Sequence, residues 1–407
     1  MAHRYRLYPS PEQLPVLRSH CGQARWVWNE ALRAVKAHAL DATVPFFDLT
    51  KARGEIGWLA AGSSSVQQQA LRDLTRALAH AKAGTHRFPK WRRKGEDEGF
   101  CVRDVNVAIV NRRWAEITVP KAGRVRFRLS RPMPATYGMA RVTLDPAGWW
   151  HVAFAAPQPP VERVPTGAVV GIDRGVASTI ATSDGSLVRA PKLRPRERRR
   201  IERLQYQLAR QKQGSHRREK TKVAIARTHA KAVRRRNDWI EQRTTKLVYS
   251  YDVIAVEDLK VKDLVQAPKP SPDPEQAGSF LPNGRRAKAG LNRAILDQGW
   301  GRLLRRVEDK AGASGVVVVR VDPAYTSQTC ARCGHVARES RESQAVFSCV
   351  ACGHANHADL NAAANILARG ISPLASTPGH GAGPGDRAAR RGPALAGSEN
   401  LLAGVVA

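Results

Sequence analysis

A chain of 407 residues with 67 Lys+Arg against 35 Asp+Glu, a formal net charge of +32, carries a field that concentrates phosphate polymers and makes binding salt-sensitive. This length buries real cores over two or three domains without covalent staples, and no apolar run of about 18 residues or apolar signal core argues for a membrane class. The expectation is a bacterial, cytoplasmic, nucleoid-associated protein that binds nucleic acid and no membrane.

Residues 4–8 (Arg-Tyr-Arg-Leu-Tyr) alternate as a short strand, and Pro9-Ser10-Pro11 punctuates ahead of a helical pattern in which Ser10 and Gln13 have capping-box spacing. Pro15 predicts that the regular helix begins there. Leu17, Cys21, Ala24, Trp28, Ala31 and Val35 share one helical face, and helices are expected to about residue 82. After Gly84, residues 100–110, 114–119, 125–129, 140–144 and 149–155 are short apolar or alternating runs between turn residues, which predicts a small antiparallel sheet or barrel.

A second module opens with the buried-strand run 168–172, a strand over 177–182, the hairpin signal Ser183-Asp184-Gly185-Ser186 and a return through Leu187-Val188. Ile201, Leu204 and Leu208 form a helical stripe, Gly214-Ser215 breaks it, and a long helix follows over about 217–249. Arg217, Arg218, Lys220, Lys222, Arg227, Lys231, Arg234, Arg235 and Arg236 load that helix with positive charge. A charge run is usually a solvated face, yet the charge imbalance of the whole chain favours an arm lying against phosphates. Residues 252–256 form another buried strand ending at Glu257, 266–290 read as a mobile Pro/Gly/basic loop, and one helix over 292–311 feeds an apolar strand over 315–321. A short Ala-rich helix is expected over 359–368, and 371–407 lack a core-forming pattern and are expected to be disordered.

Cys330, Cys333, Cys349 and Cys352 have C-x2-C-x15-C-x2-C spacing, which fits a four-thiolate structural Zn²⁺ site, and each pair runs into Gly-His. Those glycines allow tight turns that aim amide N–H groups at the sulfurs, while His335 and His354 read as solvent-facing knuckle residues. Cys21 and Cys101 stand alone and read as small buried hydrophobes. Three acids form a second constellation. Asp173 ends the first strand of the second module, Glu257 ends a later core strand, and Asp359 opens a late helix, the layout of an RNase H-like fold. Such a site can hold two divalent ions about 4 Å apart around a phosphodiester, and oxygen-only ligands suit Mg²⁺ or Mn²⁺. Trp26, Trp28 and Trp114 offer base-stacking faces but more often serve as core.

Gly171-Ile-Asp-Arg-Gly-Val, Val256-Glu-Asp-Leu, the block Asp322 to Gly334 and Asp359-Leu-Asn-Ala-Ala-Ala-Asn-Ile resemble the TnpB (OrfB) family encoded by insertion sequences. Tyr5-Arg-Leu-Tyr-Pro, Arg25-Trp-Val-Trp-Asn and Leu291-Asn-Arg-Ala-Ile-Leu-Asp-Gln-Gly-Trp fit as well, so the resemblance spans about residues 4–370. It implies a multidomain α/β chain: an RNase H-like (RuvC) nuclease domain with an inserted zinc ribbon, preceded by a β-barrel wedge domain and a helical recognition domain. It further implies an RNA-guided DNA endonuclease, related to the type V CRISPR effectors. The guide RNA would come from the transposon end and the target would be double-stranded DNA beside a short flanking motif. The catalytic triad carried over is Asp173, Glu257 and Asp359 with Mg²⁺, leaving a 3′-hydroxyl and a 5′-phosphate. The expected divisions are a first wedge strand at 1–10, the recognition helices at 11–83, the wedge barrel at 84–165, the nuclease domain with its basic hairpin at 166–322, the zinc ribbon at 323–356, a last nuclease segment at 357–370 and the tail at 371–407. A guided repressor that does not cut, a strand-transferring transposase and a CRISPR-associated miniature effector are the alternatives.

Overall fold

The structure is a computed structural model describing residues 2–37, 47–96, 98–157, 161–276 and 278–375; of the expected tail, 376–407 lie outside the described residues. The chain packs as two compact units, one of residues 1–158 with 195–230 and the other of 159–194 with 231–407. The basic hairpin expected within the nuclease segment is therefore divided, because 195–230 packs with the first unit.

The first unit is built on seven antiparallel strands. β1 (Ala2–Tyr8) leads into α1 (Gln13–Ala37), α2 (Leu49–Glu55), α3 (Gly57–Ala60) and α4 (Ser64–Lys82), and the chain then returns through β2 (Gly99–Val102), β3 (Val107–Asn111), β4 (Trp114–Val119), β5 (Gly123–Arg128), β6 (Ala140–Leu144) and β7 (Trp150–Ala155). The strand order is β2-β6-β7-β1-β5-β4-β3, so β1 sits mid-sheet and the helices are an insertion after it. Among the described residues no ladder joins β2 to β3, and the single run expected over 100–110 is split between those two ends. All six residues of the expected α1 face are buried, and in the core the Tyr5 ring meets Phe154 edge-on while Phe127 packs tilted against both. Pro15 lies inside α1 rather than starting it. First-turn N–H groups have no intrahelical acceptor to lose, and the Ser10 N–H is held by Gln13 Oε1 at 3.0 Å.

In the second unit β8 (Val169–Asp173), β9 (Ile180–Thr182) and β10 (Leu187–Val188) form an antiparallel meander. α5 (Pro195–Ala209) and the first part of α6 (His216–Ser250) belong to the other unit. β11 (Val253–Glu257) then pairs parallel to β8, and β12 (Val317–Val321) parallel to β11, giving the order β10-β9-β8-β11-β12. Between β11 and β12 come α7 (Val261–Leu264), α8 (Arg285–Gln298) and α9 (Trp300–Ser314). One helix was expected over 292–311, and residues 285–290 were assigned to a loop. Instead Gly299, at φ +73°, ends α8 in the left-handed region, and α9 restarts at the buried Trp300. The hairpin β13 (Val346–Ser348) and β14 (Ala355–His357) leads into α10 (Ala358–Ala375), which continues past the expected end at 368 into the segment read as tail.

α10 lies directly on β8 and β11. Ala362, Ala363 and Ile366 are buried there, and the approach is close enough that glycine is required on both sides. A Cβ at Gly171 would overlap the Ala363 carbonyl and stand 2.6 Å from Leu367 N, and one at Gly370 would overlap Ala255 Cβ. Gly171→Ala is expected to lever α10 off the sheet, costing about 1–3 kcal/mol as overpacking does. A lowered melting temperature checks this, with the larger loss falling on any activity that needs Asp359 near Asp173.

Candidate active site

The four cysteine sulfurs lie within 4.8 Å of one another, with Cys330 Sγ 3.7 Å from Cys352 Sγ and Cys333 Sγ 3.6 Å from Cys349 Sγ. A tetrahedron with Zn–S of about 2.3 Å has edges of about 3.8 Å, so the thiols fit a structural metal such as zinc and are too far apart for disulfides. Two matching knuckles create this geometry. Gly334 and Gly353, at φ +75° and +66°, donate to the Cys330 and Cys349 carbonyls, and the Cys330 and Cys349 N–H groups donate to the His335 and His354 carbonyls, all at 2.9 Å. The Cys352 N–H pulls the Cys349 thiol down to about 6, whereas at Cys333 the His335 N–H pulls down but the neighbouring sulfurs outweigh it and push the thiol up to about 12. Cys21 and Cys101 are pushed up by burial, to about 12 and about 11.

This cysteine loop is fastened to α10. Asn361 Oδ1 accepts from Ala331 N at 2.9 Å, and its Nδ2 donates to the Thr329 carbonyl at 2.7 Å. One turn later, Asn365 Nδ2 donates to the Thr326 and Thr329 carbonyls at 2.9 and 2.7 Å. Thr326 is 2% exposed and passes the connection on, donating from Oγ1 to Glu257 Oε1 at 2.6 Å.

Asp173 and Glu257 leave the same end of two adjacent parallel strands. The ladder pairs Val256 with Ile172, so one step further the two acids are neighbours on strands about 4.8 Å apart. Asp359, in the first turn of α10, reaches the same end; its Oδ2 is 3.6 Å from where a Cβ of Gly175 would stand. Burial, then the charges of Glu257 and Asp359, push Asp173 from its ordinary 3.8 up to about 7. Burial also raises Glu257, opposed by the Thr326 hydroxyl and Arg174, and raises Asp359, opposed by His357 and Arg341. Among the described residues only the cysteines bring ligand atoms mutually within 4.8 Å, so the carboxylates form a wider ring than the sulfurs do.

Residue-by-residue reading of the sequence missed the supports of this ring. Arg174 is 5% exposed and donates to the Glu257 carbonyl, fixing the strand end. Arg341, from the cysteine loop, stands 3.6 Å from Asp359 Oδ1. Thr326, Asn361 and Asn365 lie inside the motif blocks, but nothing in their spacing says what they bind. On the basic helix, Arg217, Lys220, Lys222, Arg227, Lys231 and Arg234 are exposed and Arg235 is half-buried. Arg218 instead donates to the Leu208 and Gln211 carbonyls at the end of α5, and Arg236 pairs with Asp297 at 2.9 Å. Arg227 also donates to the Ala147 carbonyl at 3.0 Å and Lys222 pairs with Glu219 at 2.7 Å, so all four have structural partners that a charge pattern does not reveal. Trp28 is core, its Nε1 donating to the Lys90 carbonyl at 2.9 Å, while Trp26 packs half-buried against Phe47 and Trp58, and Trp114 against Tyr8.

Three family models match the chain: a Cas12f1-like TNB domain over residues 300–366, a "Probable transposase" of the OrfB/IS605 type over 151–267, and a helix-turn-helix domain over 1–38. Residues 2–37 hold β1 and α1 rather than two helices. An Escherichia coli K12 protein described as "Putative RNA-guided DNA endonuclease InsQ" is 34% identical over 385 residues, 92% of this chain and 93% of that one. The chain belongs to the TnpB (OrfB) family. A Streptomyces pristinaespiralis member, described as "Putative RNA-guided DNA endonuclease", is 30% identical over 96% of this chain and 94% of its own. The solved Cas12f1–sgRNA–target DNA complex shares the fold, with a TM-score of 0.53 at 13% identity over 88% of this chain and 83% of that one. Among the described residues no helix is long and apolar enough to cross a membrane.

Two outcomes follow from the geometry. Asp173 holds its proton in the folded chain up to about 7 and loses it near 3.8 when unfolded, so stability falls as pH rises through that window. Without added magnesium, Asp173→Asn should therefore melt a few degrees above the parent at pH 8, with the gap closing near pH 4. Cys349→Ser should drop bound zinc from about one per chain towards none and raise amide exchange across 325–356, as read by elemental analysis and exchange mass spectrometry.

Proposed function

We propose that this TnpB-family chain is an RNA-guided DNA endonuclease of an insertion sequence. It would hydrolyse target DNA beside a short flanking motif at Asp173, Glu257 and Asp359. The relatives' descriptions support the activity class. The observation that carries the site is the convergence of three carboxylates at one end of a β10-β9-β8-β11-β12 sheet, where burial, and then the charges of Glu257 and Asp359, push Asp173 up to about 7. That strand order, a meander followed by two parallel strands, supports an RNase H-like (RuvC) nuclease domain.

The oxygen-only donor set and its mutual repulsion fit a hard divalent cation such as Mg²⁺. When bound, magnesium supplies the positive charge that ionises the attacking water and steadies the departing oxygen. The protein's own groups do the positioning. Thr326 fixes the Glu257 carboxylate, Arg174 anchors the strand end beneath it, and α10 carries Asp359 to the edge of β8. Ionised, the three acids repel a phosphodiester, so cleavage requires the cation. Products would carry a 3′-hydroxyl and a 5′-phosphate.

In this reading the antiparallel sheet of the first unit is the wedge, α1–α4 the recognition helices, and residues 323–356 a zinc ribbon that handles nucleic acid. Pairing with an RNA from the transposon end would supply sequence choice. Exposed basic groups of α6 would hold phosphates. The protein purified with its RNA should cut a plasmid library when magnesium is present, and Asp173→Ala should reduce cutting by at least about 10³-fold while RNA binding persists. Equal cutting by Asp173→Ala would overturn the assignment, and joined rather than cleaved products would point to strand transfer.

A further inference from the structure

Tyr325 lies between the end of β12 and the first cysteine, with its backbone in the left-handed region at φ +61°. Glycine adopts that conformation freely and asparagine tolerates it, whereas a bulky side chain there is held against its preference. The turn around it is clamped from several directions. The Tyr325 carbonyl accepts from Gln328 N and Thr329 N at 3.0 Å and from Thr329 Oγ1 at 2.8 Å. From α10, Arg369 Nη1 donates to the Asp322 and Ala324 carbonyls at 3.0 and 2.6 Å, and Asn365 Nδ2 donates to the Thr326 carbonyl at 2.9 Å. These bonds run to the backbone, so they impose the conformation on position 325 whatever side chain it carries.

The fold makes little use of the ring itself. Tyr325 is 64% exposed, and among the described residues its hydroxyl has no hydrogen-bond partner and its ring no stacking or cation contact. Neither packing nor a polar network therefore accounts for an aromatic residue where glycine would be unstrained. The next residue fixes its location. Thr326 donates to Glu257 Oε1, and with the ordinary spacing of successive Cα atoms the Tyr325 Cα stands within about 9 Å of that carboxylate. That is the reach of the base next to a phosphodiester seated on the acids. Strained residues that a surrounding structure over-determines gather at functional sites, and this one borders the carboxylates.

We infer that Tyr325 is a substrate-positioning residue: its ring stacks on the nucleobase beside the scissile phosphodiester and holds the DNA strand in register with Asp173, Glu257 and Asp359. The inference rests on the reading of those carboxylates as the cleavage site. An aromatic face accepts any base, so the contact orients the strand without reading its sequence. Because the backbone is already fixed, little ordering remains when the strand arrives.

The test uses the full chain with its RNA and a DNA target, and begins by mapping where the parent cuts the strand not paired to the RNA. Targets are then made in which each nucleotide flanking that cut lacks its base in turn. Single-turnover cleavage rates are compared for the parent, Tyr325→Phe and Tyr325→Asn. The parent should cut one of the abasic targets at least about tenfold more slowly than the intact one, as the loss of a stacked base implies. Tyr325→Asn should be slowed by a similar factor on the intact target and show no further defect on that abasic one, while Tyr325→Phe follows the parent on both. Since asparagine suits the left-handed backbone, Tyr325→Asn should melt no lower than the parent. Tyr325→Asn cutting the intact target at the parental rate, or losing as much as the parent at every abasic position, overturns this inference and leaves the carboxylate assignment standing. A melting temperature several degrees lower assigns the ring to the fold and overturns it equally. A parent that cuts no target overturns the reading of the site itself.

Discussion

Asp173 and Glu257 stand at the same end of neighbouring parallel strands, and the burial of two carboxyls side by side is the constraint on which the site depends. Left to itself such a pair would splay or stay protonated. It is held by contacts that tolerate little movement: the Arg174 bond to the Glu257 carbonyl, the buried Thr326 hydroxyl on its carboxylate, and a helix packed so tightly that Gly171 and Gly370 cannot carry a side chain. Folding accepts an unfavourable electrostatic arrangement here. The raised Asp173 is the energetic trace of that arrangement.

The cysteine module belongs to the same construction. Its loop is tied through Asn361 and Asn365 to α10, the helix that bears Asp359, and through Thr326 to Glu257. Arg341 comes from the same loop and faces Asp359. A closed four-thiolate site has no open position for chemistry. Its link to the carboxylates is mechanical, because the segment 325–356 carries Thr326, which holds Glu257, and Arg341, which faces Asp359.

Much of this was legible in the chain itself. The α1 face, the strands at 114–119 and 140–144, the buried β11 and the cysteine spacing all carry strong local periodicity or ligand spacing, and each appears where expected. The failures have definite physical causes. One helix was expected over 292–311, but Gly299 adopts a left-handed conformation that divides it. Pro15 looked like a barrier but occupies a turn that needs no N–H bond. Arg218, Arg227 and Arg236 were counted with the phosphate-facing charges, although each holds a partner within the protein. Thr326, Arg174 and Arg341 were passed over because a side chain's role as a support exists only once strands, loop and helix have met.

Convergence of the acids is tested most directly by calorimetry of Mn²⁺ binding to the full chain in two buffers of different ionisation heat. An Asp173 that titrates at about 7 predicts release of about half a proton per chain near pH 7 and almost none near pH 9, with both the binding and the release lost in Asp173→Asn. Binding without proton release at pH 7, or binding unchanged in Asp173→Asn, would contradict it.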